Sequence, residues 1–224
     1  MQVVSGIRCD SEWCCQPDDE ANGIYSICNY FPLEGGNFWK YNTGARVIIS
    51  EKKDCNGYTG IQYGTSTYEY SLFMDNGKNG LLMNGCEYEQ PEGNLRDMGT
   101  AIKVANEQMS IGDQVQTTFE GGAIVVNSTF QGFENVTVPA GTFNALKLRL
   151  DIDDEGGGGT KCDSFVVTLW LAKGIGPVKI ARTNPVPANC LGCVFLCNPE
   201  NSLTILNTSA ILTRAAINGQ VYPQ

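Results

Sequence analysis

Histidine is absent from all 224 residues. That excludes Ser-His-Asp and Cys-His nucleophiles, histidine metal ligands and C-x-x-C-H haem attachment. A general acid or base near neutral pH would have to be a shifted carboxylate, lysine or cysteine. Positive charge is scarce too: 15 Lys and Arg stand against 24 Asp and Glu, a net charge of −9. With no basic cluster along the chain, a phosphate backbone would be repelled, and nucleic acid is not an expected partner. No apolar run approaches the roughly 20 residues of a membrane-spanning helix, so no transmembrane segment is expected. The first ten residues, MQVVSGIRCD, lack a charged n-region followed by an apolar h-region. Any export signal is therefore expected to lie outside this sequence. Cys9 follows Arg8 rather than a small residue, which argues against lipid attachment there.

Against these absences stand ten cysteines: Cys9, Cys14, Cys15, Cys28, Cys55, Cys86, Cys162, Cys190, Cys193 and Cys197. A chain of this length can bury a sizeable core and does not need staples merely because it is small. An even number spread along the chain belongs to an oxidising compartment, extracellular or in the cell envelope. Cys190, Cys193 and Cys197 have C-x2-C-x3-C spacing that could hold zinc or an iron–sulfur cluster with a fourth ligand such as Cys162. Such a site needs reduced thiols, and only one C-x-x-C knuckle occurs. Disulfides are the expected state of all ten, no metal or other cofactor is expected, and the 184–200 segment reads as a stapled loop.

From residue 30 onward the apolar pattern has period two. In NALKLRLDI, Leu146, Leu148, Leu150 and Ile152 alternate with Lys147, Arg149 and Asp151, as in a strand with one buried face. SFVVTLWLA, 164–172, is apolar on both faces and predicts a covered central strand. ARVIIS, GIQYGTSTYEYSLF, DQVQTTFE, GAIVVNSTF and SLTILNTSAIL read as further strands, rich in residues that suit a pleated surface. Asn-Gly at 22–23, 56–57, 76–77, 79–80, 84–85 and 218–219 supplies the positive φ angles of hairpin turns. TAIKVANEQMS, 100–110, is the best helix candidate, and EGGGG, 155–159, predicts a loop tip. Residues 1–28, with four cysteines and the run PDDE, read as an extended arm. The expectation is an all-β chain: an N-terminal arm over 1–28 and one antiparallel domain over 29–224, a sandwich or partly open barrel stapled by disulfides.

Three stretches, YFPLEGGNFWKY, VTVPAGTFNALKLRL and WLAKGIGPVKI, carry a resemblance. A Pro-Leu-x-x-Gly-x-x-Trp-x-Tyr lead-in strand falls at 32–41, Val-Pro-Ala-Gly-x-Phe at 138–143 and Trp-x-Ala-x-Gly-Ile-Gly-x-Val-Lys at 170–179. In these the chain resembles a TapB-like group of bacterial exported and lipoprotein-type β proteins of unknown function, over roughly residues 30–212. The resemblance implies an envelope or secreted location and a meandering antiparallel sheet, and it carries no catalytic residues across. Each motif also has a local cause. Pro139 suits an edge or turn, Gly141 allows a tight reversal, and Gly174 and Gly176 are expected to bend the strand after Trp170.

Other candidates read as surface. Asp151, Asp153 and Glu155 imitate the start of a calcium loop, but the twelfth position is Cys162 where a bidentate Glu is needed. Glu87, Glu89 and Glu92, or Asp18, Asp19 and Glu20, could furnish a glycosidase pair, and nothing singles out two that meet across a cleft. Tyr58, Tyr63, Tyr68, Tyr70, Phe73 and Tyr88 could form a sugar platform or pack across strands. Asn127, Asn135 and Asn207 head glycosylation sequons, meaningful only in a glycosylating host.

No catalytic constellation emerges, and the expectation is a non-enzymatic secreted or cell-surface protein. It acts as a structural subunit of a filament or matrix, self-associating through the arm. The alternative is an envelope binding module that holds a small apolar or lipid-like ligand in a half-barrel. The alternation in 146–152 makes Leu148→Asp unfold the domain by burying an unpaired charge, while Lys147→Asp leaves it folded. Thermal melts of the two variants check this, and equal melting temperatures would refute the register.

Overall fold

The computed structural model describes the backbone of residues 15–43, 46–55, 58–65, 72–75, 80–84, 86–89, 94–97, 102–119, 124–154, 164–183 and 209–223. Side chains are described for 15–43, 80–82, 103–118, 125–153, 164–183 and 209–223. The strands are β1 Tyr25–Ser26, β2 Phe38–Tyr41, β3 Arg46–Cys55, β4 Tyr58–Thr65, β5 Leu72–Asp75, β6 Leu81–Asn84, β7 Cys86–Glu89, β8 Asn94–Asp97 and β9 Ile102–Ala105. They continue with β10 Gln108–Met109, β11 Gln114–Phe119, β12 Ile124–Val138, β13 Gly141–Asp154, β14 Phe165–Ala172, β15 Gly176–Thr183, β16 Ala210–Ile217 and β17 Gln220–Tyr222. One short 3-10 turn spans Ile27–Tyr30. Among the described residues no helix is long and apolar enough to cross a membrane.

The fold is all-β and antiparallel, as expected. The main sheet runs β11-β12-β13-β14-β15-β16-β2-β3-β4-β5-β6-β9, with β17 on β16. Its ends approach each other. Lys103 N–H donates to Thr117 Oγ1 and the Thr117 hydroxyl donates to Lys103 O, each at 3.2 Å. One side chain rather than a ladder joins β9 to β11, so the sheet is a partly open barrel. Two small ribbons, β1 with β10 and β7 with β8, lie beside it.

Periodicity explains the interior. Leu146, Leu148, Leu150 and Ile152 of β13 are buried, and so are Phe165, Val167, Leu169 and Leu171 of β14. On the other face of β14, Val166 and Thr168 are half-buried, so the cover there is partial. Asn218-Gly219 behaves as its sequence predicts. Both residues have positive φ, 51° and 79°, and they join β16 to β17 with Ile217 opposite Gln220. Pro139 and Ala140 form the two-residue reversal between β12 and β13.

Three expectations change. TAIKVANEQMS is no helix but β9 and β10, because Val104, Ala105 and Met109 enter the core and tertiary burial overrides a marginal helical pattern. The 32–41 motif is mostly loop, with strand only from Phe38. Gly174 and Gly176 do not bend a strand. They sit in and beside the turn that reverses β14 into β15. The described part of 1–28 is folded onto the body: from Cys15 onward it carries the Cys15–Cys28 disulfide, and Ile27 is 1% exposed.

The sheet splits between β15 and β16, which pair only at Lys179–Ile211 and Ile180–Ala210. Side chains of β2 fill the split. Trp39 Nε1 donates to Ile175 O at 2.6 Å, and Tyr41 OH donates to Pro177 O at 2.9 Å. The indole lies so close that a Cβ on Gly176 would fall 3.0 Å from Trp39 Cζ2. Trp39→Phe keeps most of the apolar surface but leaves the Ile175 carbonyl without this donor. It is expected to cost about 1–3 kcal/mol, read as a lower urea midpoint with an unchanged m-value. An unchanged midpoint would remove the bond from the account.

Candidate functional site

The densest polar arrangement among the described residues is built around Asp18, whose side chain is 1% exposed. The chain after Cys15 reverses at Glu20–Gly23, with Asp19 bridged to Ile24. It then makes β1 and the 3-10 turn, whose residues point back at Asp18. Asp18 Oδ1 accepts from Ser26 N–H at 2.9 Å and from Asn29 Nδ2 at 2.8 Å. Oδ2 accepts from Tyr30 OH at 3.0 Å and from Lys173 Nζ, on the β14–β15 turn, at 2.7 Å. Lys173 also reaches Glu20 at 3.3 Å. The Cys15–Cys28 disulfide, with Cα atoms 5.7 Å apart, closes the same segment. Beneath it Tyr25 packs on Phe133 and Phe130 with ring centres 4.7 and 5.7 Å away, and Tyr30 lies 5.9 Å from Phe133.

Burial alone would raise the Asp18 carboxyl. Lys173, the Ser26 N–H, Asn29 and Tyr30 outweigh it and hold the group below its ordinary value. Burial and the hydrogen bond to Asp18 push the Tyr30 phenol well above its usual range. The same carboxylate raises Lys173 against a smaller opposing effect of burial. Each Asp18 oxygen already takes two donors, which uses its lone-pair capacity. The group is spent as a base or nucleophile. What the arrangement does is hold: it ties residues 15–30 to the β14–β15 turn.

A second cluster sits on β12–β15. Glu134 Oε2 accepts from Trp170 Nε1 and from Lys147 Nζ, each at 3.2 Å, and these two contacts, Trp170 first, lower its carboxyl. Lys179 Nζ lies 4.2 Å from the centre of the Trp170 ring. Two buried hydroxyls, Ser26 and Ser128, have no hydrogen-bond partner among the described residues. Ser128 shares the inward face of β12 with Val126 and Phe130.

The other sequence candidates are not brought together. The Asp151 carboxylate is taken by Arg149, with Nε at 2.8 Å, and Asp153 accepts from Ser164 Oγ at 2.6 Å. Glu155 lies outside the described residues, among which no group of three or more acidic or cysteine ligands could hold a metal. Asn127 accepts from Gln116 Nε2 at 2.8 Å, Asn135 is exposed, and Asn207 lies outside the described residues. Of the ten cysteines, Cys15 and Cys28 are described as a pair. Cys55 and Cys86 are placed by backbone only, and Cys9, Cys14, Cys162, Cys190, Cys193 and Cys197 lie outside. Tyr58 and Tyr63 fall on β4, Phe73 on β5, and Glu87, Tyr88 and Glu89 on β7, again by backbone. Glu92, Tyr68 and Tyr70 lie outside, as does the 184–200 loop. Of the acidic run, Asp19 and Glu20 are exposed as expected, whereas Asp18 is buried.

The comparisons with known proteins follow this geometry. A family model described as DUF3108-like matches residues 83–184, just under half the chain. It contains the 138–143 motif and the 170–179 motif and stops short of 32–41. The chain is similar to the crystal structure of a Bacteroides fragilis protein described as a "putative exported protein with YmcC-like fold". Identity is 13% over 83% of this chain and 98% of that one, with a TM-score of 0.44. It is also similar to a Parabacteroides distasonis protein described as a "putative lipoprotein", at 11% identity over 83% and 97% of the two chains, with a TM-score of 0.33. No curated protein matches.

The clasp has a pH signature. Asp18 has a depressed folded-state value, so its contribution is complete above the unfolded value of about 3.9 and fades as pH falls through the folded one. Lys173 is raised, so its share is complete below about 10.4 and fades as pH rises through its folded value. Asp18→Asn is expected to cost about 2–3 kcal/mol at pH 7, below the range for a fully buried pair because Lys173 is half-exposed. The gap between variant and wild type should close in acid below pH about 4. Urea titrations from pH 7 to 3 measure it, and a gap that stays constant would rule out a charged Asp18 as the source.

Proposed function

We propose that this is an exported, non-enzymatic β protein of the extracellular space or cell envelope that acts by association, as a structural subunit of a filament or matrix. The observation that carries the reading is the clasp. The chain is fastened at Cys15 by a disulfide and at Asp18 by four donors, next to the strand-like stretch MQVVSGI in the sequence. A reaction centre would keep a carboxylate or phenol available; here both are consumed in holding. A firmly held base suits a segment that projects to a neighbour. MQVVSGI has the Val-Val-x-x-Ile pattern of a strand that adds to another subunit's sheet edge.

Export rests on the cysteine chemistry: an even ten, with a disulfide between Cys15 and Cys28. The TapB-like resemblance of the three motifs points to the same compartment. A second reading has one observation in its favour. The Ser128 hydroxyl is buried on the inward face of the half-barrel without a partner among the described residues, and a small, largely apolar ligand with one polar group would satisfy it.

Deletion of residues 1–8 spares every cysteine and separates the readings. The full-length protein should associate with rising concentration in light scattering and show ordered assemblies by electron microscopy, and the deletion should be a monodisperse monomer with the same melting temperature. If the intact protein is monomeric at high concentration and the deletion changes nothing, assembly is refuted and the ligand reading leads.

A further inference from the structure

The fold gathers cations that are scattered along the sequence. The register sets Lys147 opposite Trp170, Trp170 opposite Lys179, Lys179 opposite Ile211, and Arg214 opposite Lys40. Lys147 is answered by Glu134, and its neighbour Arg149 by Asp151. Lys179 lies over the face of Trp170, with Glu134 near enough to feel its charge. Lys40 and Arg214 are exposed, and neither forms an ion pair among the described residues. Like charges directly opposite on a sheet destabilise it. The chain carries a net charge of −9, and the acids described on this face, Glu134 and Asp151, are already paired with Lys147 and Arg149.

We propose that this basic face, centred on the Lys40–Arg214 pair, docks on the acidic surface of a second copy of the same chain. The proposal rests on the self-association argued above and gives it a second contact. Acid sits elsewhere on the surface, at exposed residues including Asp19, Glu34 and Asp113. Two copies with net charge −9 repel unless a basic region of one meets an acidic region of the other. Where that contact is heterologous and does not close, it produces an open chain of subunits. The neighbour's carboxylates would relieve the Lys40–Arg214 repulsion.

The test is sedimentation velocity on the full-length protein at rising sodium chloride, with Lys40→Glu and with Lys40→Glu/Arg214→Glu. The double variant should associate at least tenfold more weakly at low salt. Wild type should approach it well above about 0.1 M, where the screening length falls below roughly 10 Å. The single variant turns a like-charge pair into an opposite-charge one. It should melt at the same temperature as wild type or higher while associating less, an outcome misfolding cannot produce. Association that ignores both salt and charge reversal overturns the proposal. So does phosphatidylglycerol-vesicle binding that the double variant loses while its self-association persists. The deletion of 1–8 is run beside these: loss of association on deletion, with none on charge reversal, removes this contact alone. A wild type that stays monomeric throughout removes the assembly reading with it.

Discussion

Everything in the described structure converges on the turn that reverses β14 into β15. The main sheet does not keep full pairing between every neighbour: it gives way between β15 and β16. Carbonyls exposed by such a split must be satisfied or pay for their burial. Ile175 O and Pro177 O are answered by the Trp39 indole and the Tyr41 hydroxyl, from a strand on the far side of β16. Pro177 has no N–H to leave stranded. Gly176, at φ 94°, gives the indole room. Two of the motifs that look independent in the sequence, 32–41 and 170–179, are thus halves of one contact. The third, at 138–143, closes the β12–β13 hairpin and reaches β16, where Ala140 N–H donates to Leu212 O at 3.2 Å.

The same turn receives the N-terminal segment from the other side. Gly174 N–H donates to Asn29 O at 2.7 Å while Lys173 binds Asp18. Residues 173–176 therefore carry two salt bridges, two backbone contacts and an indole packed on glycine. Charge, hydrogen bonding and packing act within four residues, so the segment 15–30 and the barrel are mechanically one body. The buried carboxylate is tolerable only because all its donors arrive together; with fewer, its burial would cost more than its pairing returns.

Local pattern announced much of this fold and little of its site. Period two in 146–152 named the buried face of β13 residue by residue, because one buried face leaves a strand no freedom of register. Asn218-Gly219 named its hairpin because few other residue pairs take two positive φ angles. The stretch 100–110 misled, since Ala105 and Met109, four residues apart, satisfy a helical stripe as readily as a strand face, and only the neighbouring strand decides. Asp18 was hidden for a similar reason. PDDE looks like solvated acid, and its burial depends on Lys173, a residue 155 positions away. Ile24, Tyr25, Ile27 and Tyr30 were the available signal that this stretch had apolar surface to dock.

The basic face extends that lesson to charge. Composition correctly reports an acidic chain with no cationic run, and any argument from net charge stops there. Sheet pairing brings together Lys40, Lys179 and Arg214, which are separated by 139 and 35 positions and so form no pattern in the sequence. Antiparallel order also fixes their side of the sheet, since directly opposed residues share a face. A protein can therefore be acidic in sum, and soluble for that reason, while presenting one region of the opposite sign whose position is set by register alone. The clasp and the basic face use charge in opposite ways. Asp18 is buried with every donor it can take and joins the chain to itself. Lys40 and Arg214 are exposed and form no ion pair among the described residues, and the proposed contact would complete that pair from outside.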